Sequence, residues 1–298
     1  MKYKSLGKSG LRVSEVSFGC MSLDGQEAEN IQLLHQALDA GINYFDTADL
    51  YQKGENEKIV GRAFKGMRDQ VILATKVGNQ WRPDGSGWDW NPRKSYILES
   101  VEGSLQRLQT DYLDLYQLHG GTLDDPIDET IEAFEILKQQ GKIRHYGISS
   151  IRPNVIREYV RRSRIVSVMM QYSLLDRRPE EACLDLLQQH DIGVLVRGSY
   201  AQGLLINKPP VPYLDYTAEE TGRAAAAIRQ VAANSRSAAE VAGRFVLHHP
   251  AVTSAVLGIR TPEQLAAAIR LAGSGPLEAA AMQALRQAIP PNTYQQHR

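Results

Sequence analysis

Cysteine is scarce in this chain. Cys20 and Cys183 are far apart and in neither a metal-ligand nor a redox spacing, so no disulfide framework and no zinc site is expected. Charge of one sign is absent as well: 34 basic and 34 acidic residues are dispersed along 298 positions and sum to a formal net charge of zero. No electrostatic footprint for nucleic acid or an anionic membrane results, and a small molecule is the expected partner. No apolar run approaches membrane-spanning length, and Met1-Lys2-Tyr3-Lys4-Ser5 has no apolar core of a secretion signal, which predicts a soluble, cytoplasmic protein. A Gly-x-Gly-x-x-Gly after a strand is also missing, which argues against a Rossmann dinucleotide site. Gly7-Lys8-Ser9-Gly10 resembles a phosphate loop only in part, because the upstream glycine and the long helix that should follow are not there.

What is present is a regular alternation. A length of 298 residues at 43% hydrophobic content suits two average domains or one large α/β barrel. After a hairpin expected over Tyr3 to Val13, short β-branched or aromatic runs alternate with helical stretches. The predicted strands are Val16–Gly19, Ile42–Asp46, Val71–Lys76, Tyr112–His119, Arg144–Ser149, Val166–Tyr172, Gly193–Arg197 and Val252–Leu257. Apolar residues at helical spacing predict helices over Glu27 to Asp39, Tyr96 to Leu108 and Ile127 to Gln140, with Gly41 and Gly141 ending the first and last of these. Eight strands alternating with helices, with no linker or compositional break, predict a single (β/α)8 barrel domain over 1–298. Helices over Ala218–Ala233 and Ala238–His248, between strands seven and eight, and over Pro276–Ala288 at the C-terminus, decorate it.

In a parallel barrel the C-terminal strand ends carry the ligand site. The second, third and fourth strands there place Asp46 and Tyr51, Lys76, and His119. A carboxylate, an ammonium and a phenol together have one evident chemical use: the cation favours the phenolate and lets the phenol exchange a proton near neutral pH. Taken singly, an Asp–Lys pair is often a plain salt bridge and a lone His a satisfied core residue. After the eighth strand, Thr261 suits a helix cap, Pro262 the first helical position and Gln264 the closing residue of a capping box. With Arg260 beside it, this helix start is a candidate anion site, the alternative being an ordinary capped helix with a surface arginine. All three tryptophans, Trp81, Trp88 and Trp90, fall between Gly78 and Pro92, a loop expected to wall the substrate pocket. Trp81 is nearest Lys76 in sequence and is the first candidate to face substrate, with Trp88 next; for Trp88 and Trp90 a loop pinned by its own aromatic cluster is an equal reading.

Over nearly its whole length the chain resembles the aldo-keto reductase superfamily, in GINYFDTADLY (41–51), GENE (54–57), ILATK (72–76), DYLDLYQLHG (111–120), GKIRHYGISS (141–150), QYSLLDR (171–177), AQGLL (201–205) and LGIRTPEQL (257–265). The resemblance implies NADPH-dependent reduction of aldehydes or ketones by direct hydride transfer. Tyr51 would be the general acid, Lys76 and Asp46 would tune it, and His119 would orient the carbonyl. It implies further that Ser149, Ser150 and Gln171 hold the nicotinamide amide and that Ser199, Gln202, Gly203 and Leu204 line the pyrophosphate. In the cofactor-binding segment that starts at Gly258, Arg260, Thr261 and Gln264 would hold the adenosine 2′-phosphate, favouring NADPH over NADH. Two departures stand out: Ser150 replaces a common Asn, and Arg197 replaces a common aromatic, where an arginine plane can stack on the nicotinamide, engage an anionic substrate or form a structural ion pair. Two rival functions remain. One is a nicotinamide-sensing regulatory barrel similar to potassium-channel β-subunits; the other is a non-redox lyase or isomerase using Lys76 as a Schiff base.

Overall fold

The computed structural model describes residues 1–233 and 235–298. Strands β1 (Tyr3–Ser5) and β2 (Arg12–Ser14) form an antiparallel hairpin. The barrel strands follow as β3 (Val16–Gly19), β4 (Tyr44–Asp46), β5 (Ile72–Val77), then, after the short β6 (Asn79–Trp81) and β7 (Trp88–Trp90), β8 (Leu113–Leu118), β9 (Ile143–Ser149), β10 (Ser167–Gln171), β11 (Gly193–Arg197) and β12 (Val252–Gly258). These eight are parallel, each pairs with the next, and β12 pairs with β3, so the sheet closes. The helices around it are α1 (Glu27–Asp39), α2 (Glu55–Ala63), α3 (Lys94–Leu108), α4 (Ile127–Gln139), α5 (Pro153–Arg162), α6 (Cys183–Gln189), α7 (Ala218–Ala232), α8 (Ala238–Leu247), α9 (Pro262–Gly273) and α10 (Ala279–Ala288). This is the expected (β/α)8 barrel with its N-terminal hairpin. The segment read as a tryptophan loop holds a two-stranded antiparallel ribbon, β6 with β7.

Strand alternation sorts the core into two shells. Phe45, Leu73, Tyr116 and Leu118 face the helices and pack with Phe18, Phe64 and Phe134. Tyr44, Ala74, Leu115, Met169, Leu195 and Val256 face the barrel axis, and Leu6 and Val13 of the hairpin close that interior from below. Burial of each of the larger of these aliphatic and Phe side chains contributes about 1.5–3 kcal/mol. Because the side-chain period in a strand is two, the inward positions above Tyr44, Ala74 and Leu115 are Asp46, Lys76 and Gln117, with His119 next. The barrel's apolar filling therefore ends in a polar layer at its C-terminal face. Lys76 lies opposite Gln117 in the strand register, and Asp46 opposite Ala74.

Candidate active site

That polar layer floors a cavity of about 910 Å³ whose lining includes Asp46, Tyr51, Lys76 and His119. Lys76 is buried, and its ammonium donates to Asp46 Oδ2 at 2.5 Å, to the Thr47 carbonyl at 2.7 Å and to the Tyr51 hydroxyl oxygen at 3.2 Å. An ammonium has three donors, and all three are used. Gln117 Nε2 donates to the other carboxylate oxygen of Asp46 at 3.2 Å. Burial opposes the charge on both partners: it raises Asp46 against the pull of Lys76 and Gln117, and it works against Lys76, which Asp46 and then Tyr51 nonetheless hold above its ordinary value. The ammonium therefore stays protonated.

Tyr51 starts a tight turn, Tyr51–Gly54, in which Gln52, Lys53 and Gly54 all have left-handed backbone, with φ of 50°, 56° and 89°. The Gln52 side chain donates to the Leu23 carbonyl at 2.8 Å and holds the turn against the loop after β3. The Tyr51 ring meets His119 edge-on, with centroids 5.9 Å apart. His119 is displaced to a pKa of about 3 by burial and by the nearby Lys76 and Arg197, so its ring is neutral, and its buried Nδ1 has no partner among the described residues. Beneath the site, Asn56 accepts from Thr47 Oγ1 at 2.6 Å and donates to the Cys20 carbonyl at 2.8 Å. Glu57 accepts from Thr75 Oγ1 at 2.5 Å and from Arg107 Nε at 2.6 Å. The GENE stretch thus props the loop that carries Tyr51.

The tryptophan ribbon departs from the expected order of importance. Trp88 and Trp90 line the cavity and Trp81 does not. Trp81 lies instead with its ring 5.1 Å from the Lys53 ammonium, and the ribbon returns Trp90 to the barrel rim. A Cβ at Gly78 would sit 2.6 Å from the Trp90 ring and one at Gly120 3.2 Å; both glycines have positive φ, 123° and 147°. Trp90 Nε1 donates to Asp125 at 2.9 Å. Proximity to Lys76 along the chain pointed to Trp81; the return of the second strand selects Trp90. Met21, Gly121, Thr122, Ile151, Arg152 and Tyr213 also line the cavity and were not among the sequence candidates. Only the position of their loops, directly after the barrel strands, could have flagged them.

Of the expected nucleotide residues, Ser149, Ser150, Gln171, Arg197, Gln202 and Gly258 line the same cavity. Gln171 is fully oriented: its Nε2 donates to Asp176 at 2.8 Å and to the Tyr213 hydroxyl at 3.0 Å, and its Oε1 accepts from Arg197 at 3.0 Å. Ser199 is buried, and its hydroxyl has no partner among the described residues. Gly203 and Leu204, expected to line the pyrophosphate, are not among the residues lining this cavity. Their amides already donate to Tyr200 and Ala201 carbonyls at 2.9 and 3.1 Å, and the Leu204 side chain turns into the core. Thr261 caps α9 by accepting from the Gln264 amide at 3.3 Å. Gln264 closes one residue early, its Oε1 accepting from the Arg260 amide at 2.9 Å, so the box fixes the backbone that carries the Arg260 guanidinium. That guanidinium is exposed and, among the described residues, is paired only with Asp24, at 3.3 Å.

Residues 15–290 match the model of the aldo/keto reductase family, and the chain belongs to that family. It is 50% identical to an uncharacterized oxidoreductase of Bacillus subtilis, YqkF, over the whole of both chains. It is 35% identical to the NADH-specific methylglyoxal reductase of Escherichia coli, over 69% of each chain. Among solved structures it is similar to an aldo-keto reductase of Bacillus halodurans in its holo form, with a TM-score of 0.94 at 50% identity over 100% of this chain and 99% of that one. It is also similar to an aldo/keto reductase of Klebsiella pneumoniae in complex with NADP and acetate, with a TM-score of 0.81 at 26% identity over 100% and 99%. Members of this family use a nicotinamide nucleotide, NADH or NADPH, to interconvert carbonyls and alcohols.

Proposed function

We propose that this chain reduces aldehydes and ketones to alcohols with NADPH, Tyr51 donating the proton. One observation supports this above the others: the Tyr51 oxygen already accepts from Lys76 at 3.2 Å, so its own O–H is free to donate into the cavity. As that proton leaves, charge grows on an oxygen faced by a fixed ammonium, which is the preorganised stabilisation a proton transfer requires. Asp46 and the Thr47 carbonyl occupy the other two donors and aim the third at Tyr51. Neutral His119 lines the cavity with its ring against Tyr51, a place suited to orienting a carbonyl oxygen. Trp88 and Trp90 supply an apolar wall that limits water.

The residues fit a nicotinamide nucleotide: the orphaned Ser199 hydroxyl and the capped start of α9 beside an exposed arginine are groups that anionic and amide oxygens would satisfy. When bound, the reduced nicotinamide supplies the hydride. Ser149, Ser150 and Gln171 would hold its amide. Arg260, Thr261 and Gln264 would hold the 2′-phosphate, which is the basis for naming NADPH over NADH. A Schiff-base role for Lys76 fits poorly, because its nitrogen is a fully committed ammonium.

The test is titration of NADPH by fluorescence, together with absorbance-monitored oxidation of NADPH by an aromatic aldehyde, on wild type and Tyr51→Phe. The wild type should bind and turn over, and the variant should bind equally well and lose at least about a hundredfold in turnover. Retention of more than about a tenth of the rate would remove Tyr51 from the acid role. Binding without turnover of any aldehyde would favour the sensor.

A further inference from the structure

One cation in the cavity wall has no part in the proton machinery. Arg152 precedes α5, is half-buried and lines the cavity on the side of His119. Its Nη1 donates to the Gly121 carbonyl at 2.9 Å, and its backbone amide to Ser150 Oγ at 3.2 Å. A guanidinium carries five N–H groups, so four are left over. Among the described residues no carboxylate lies within ion-pairing distance of it. Asp125, an acid of the loop after β8 that lies outside the cavity lining, already accepts from Trp90 Nε1 at 2.9 Å and from the Thr122 amide and hydroxyl at 2.7 and 2.8 Å.

The charge of the lining is uneven. Asp46, Lys76, Arg152 and Arg197 are its charged members, since His119 is neutral. Asp46 and Lys76 cancel, which leaves two guanidinium groups and a net positive cavity. They stand apart: Arg197 donates to Gln171 at the end of β10, whereas Arg152 is tied to the loop after β8, two residues from His119. A positive site with an apolar wall retains anions that bring apolar surface with them.

We propose that Arg152 anchors a carboxylate on the substrate, so that the preferred substrates are oxo acids in which an apolar or aromatic spacer separates the carboxylate from the carbonyl. A planar guanidinium fork with unspent donors matches a carboxylate, the Gly121 tether holds the fork in place, and Trp88 and Trp90 cover the spacer. The assignment rests on the carbonyl-reducing activity proposed above. Its rival is that Arg152 merely draws in the anionic nucleotide.

The experiment compares 4-carboxybenzaldehyde with its methyl ester, which share ring and aldehyde, at saturating NADPH on wild type, Arg152→Ala and Arg152→Lys. Wild type should favour the acid in kcat/KM. Arg152→Ala should lose about tenfold to a hundredfold on the acid and far less on the ester, with Arg152→Lys between them and NADPH affinity unmoved. On wild type alone, KM for the acid should rise with salt while that for the ester does not, a readout that survives a variant's failure to fold. Equal losses on acid and ester, no preference in wild type, or a loss matched by weaker NADPH binding would overturn the carboxylate role while leaving the reductase reading intact. Reduction of neither compound by wild type would overturn both.

Discussion

The two sides of the barrel rim are finished to different degrees. Around β4, β5 and β8, the three donors of Lys76 and both oxygens of Asp46 have partners inside the protein. From β11 to the start of α9, among the described residues, the Ser199 hydroxyl has none and Arg260 holds only a 3.3 Å contact to an exposed Asp24. Folding alone satisfies the Asp46–Lys76 pair on the first side, though not the neighbouring His119 Nδ1 and Gln117 Oε1; on the second side an exposed arginine beside a capped helix start is left for a ligand to satisfy. Stability and turnover should therefore be coupled on the first side and separable on the second.

Lys76→Met tests the first side most severely. It leaves the Asp46 carboxylate buried without its counter-ion, a change expected to cost about 3–5 kcal/mol in urea unfolding. Turnover measured through NADPH oxidation should fall at least about a hundredfold in the same protein. Loss of turnover at unchanged stability would mean that Asp46 is neutral in the folded chain, and the coupling would be gone. On the second side, Arg260→Ala should weaken NADPH about tenfold to a hundredfold in fluorescence titration and leave NADH nearly unchanged. Its unfolding free energy should move by less than about 0.5 kcal/mol, because the arginine is exposed. Equal losses for the two nucleotides would detach Arg260 from the 2′-phosphate.

The first side was also the more legible in sequence, for the same physical reason. Buried strands are written as apolar runs, and a polar residue that breaks such a run at the inward position, as Asp46 and Lys76 do, is conspicuous. Val16–Gly19, Gly193–Arg197 and Glu27–Asp39 match their predicted limits, since hydrophobic period fixes them. The β6–β7 ribbon was not legible. Its faces are largely exposed, so no alternation marks it, and chain proximity favoured Trp81 where strand return selects Trp90. Arg152 and Tyr213 belong to loops whose position after a strand is predictable but whose side-chain direction depends on neighbours such as Gly121 and Gln171. Gly203 and Leu204 matched a motif, yet whether an amide is free is decided by the local turn, which composition does not encode.

The mildest perturbation concerns the support beneath Tyr51. Two buried carboxylates lie there, and only one is well partnered. Glu57 accepts from Thr75 and Arg107, whereas Asp49, among the described residues, has a single 3.3 Å side-chain bond from Ser100 Oγ and one oxygen with no partner. Burial, then the charge of Glu57, raises Asp49 from 3.8 to about 7, against the pull of Arg107. The folded chain therefore keeps a proton that the unfolded chain releases above about pH 4, so this group's contribution to stability is full below that pH and is lost as pH rises through about 7. Asp49→Asn removes the titration. Its unfolding free energy relative to wild type should be near zero at pH 4 and rise to a gain of about 1–3 kcal/mol at pH 8. A difference that is the same at both pH values would place Asp49 with Glu57, as a carboxylate whose charge the fold accommodates.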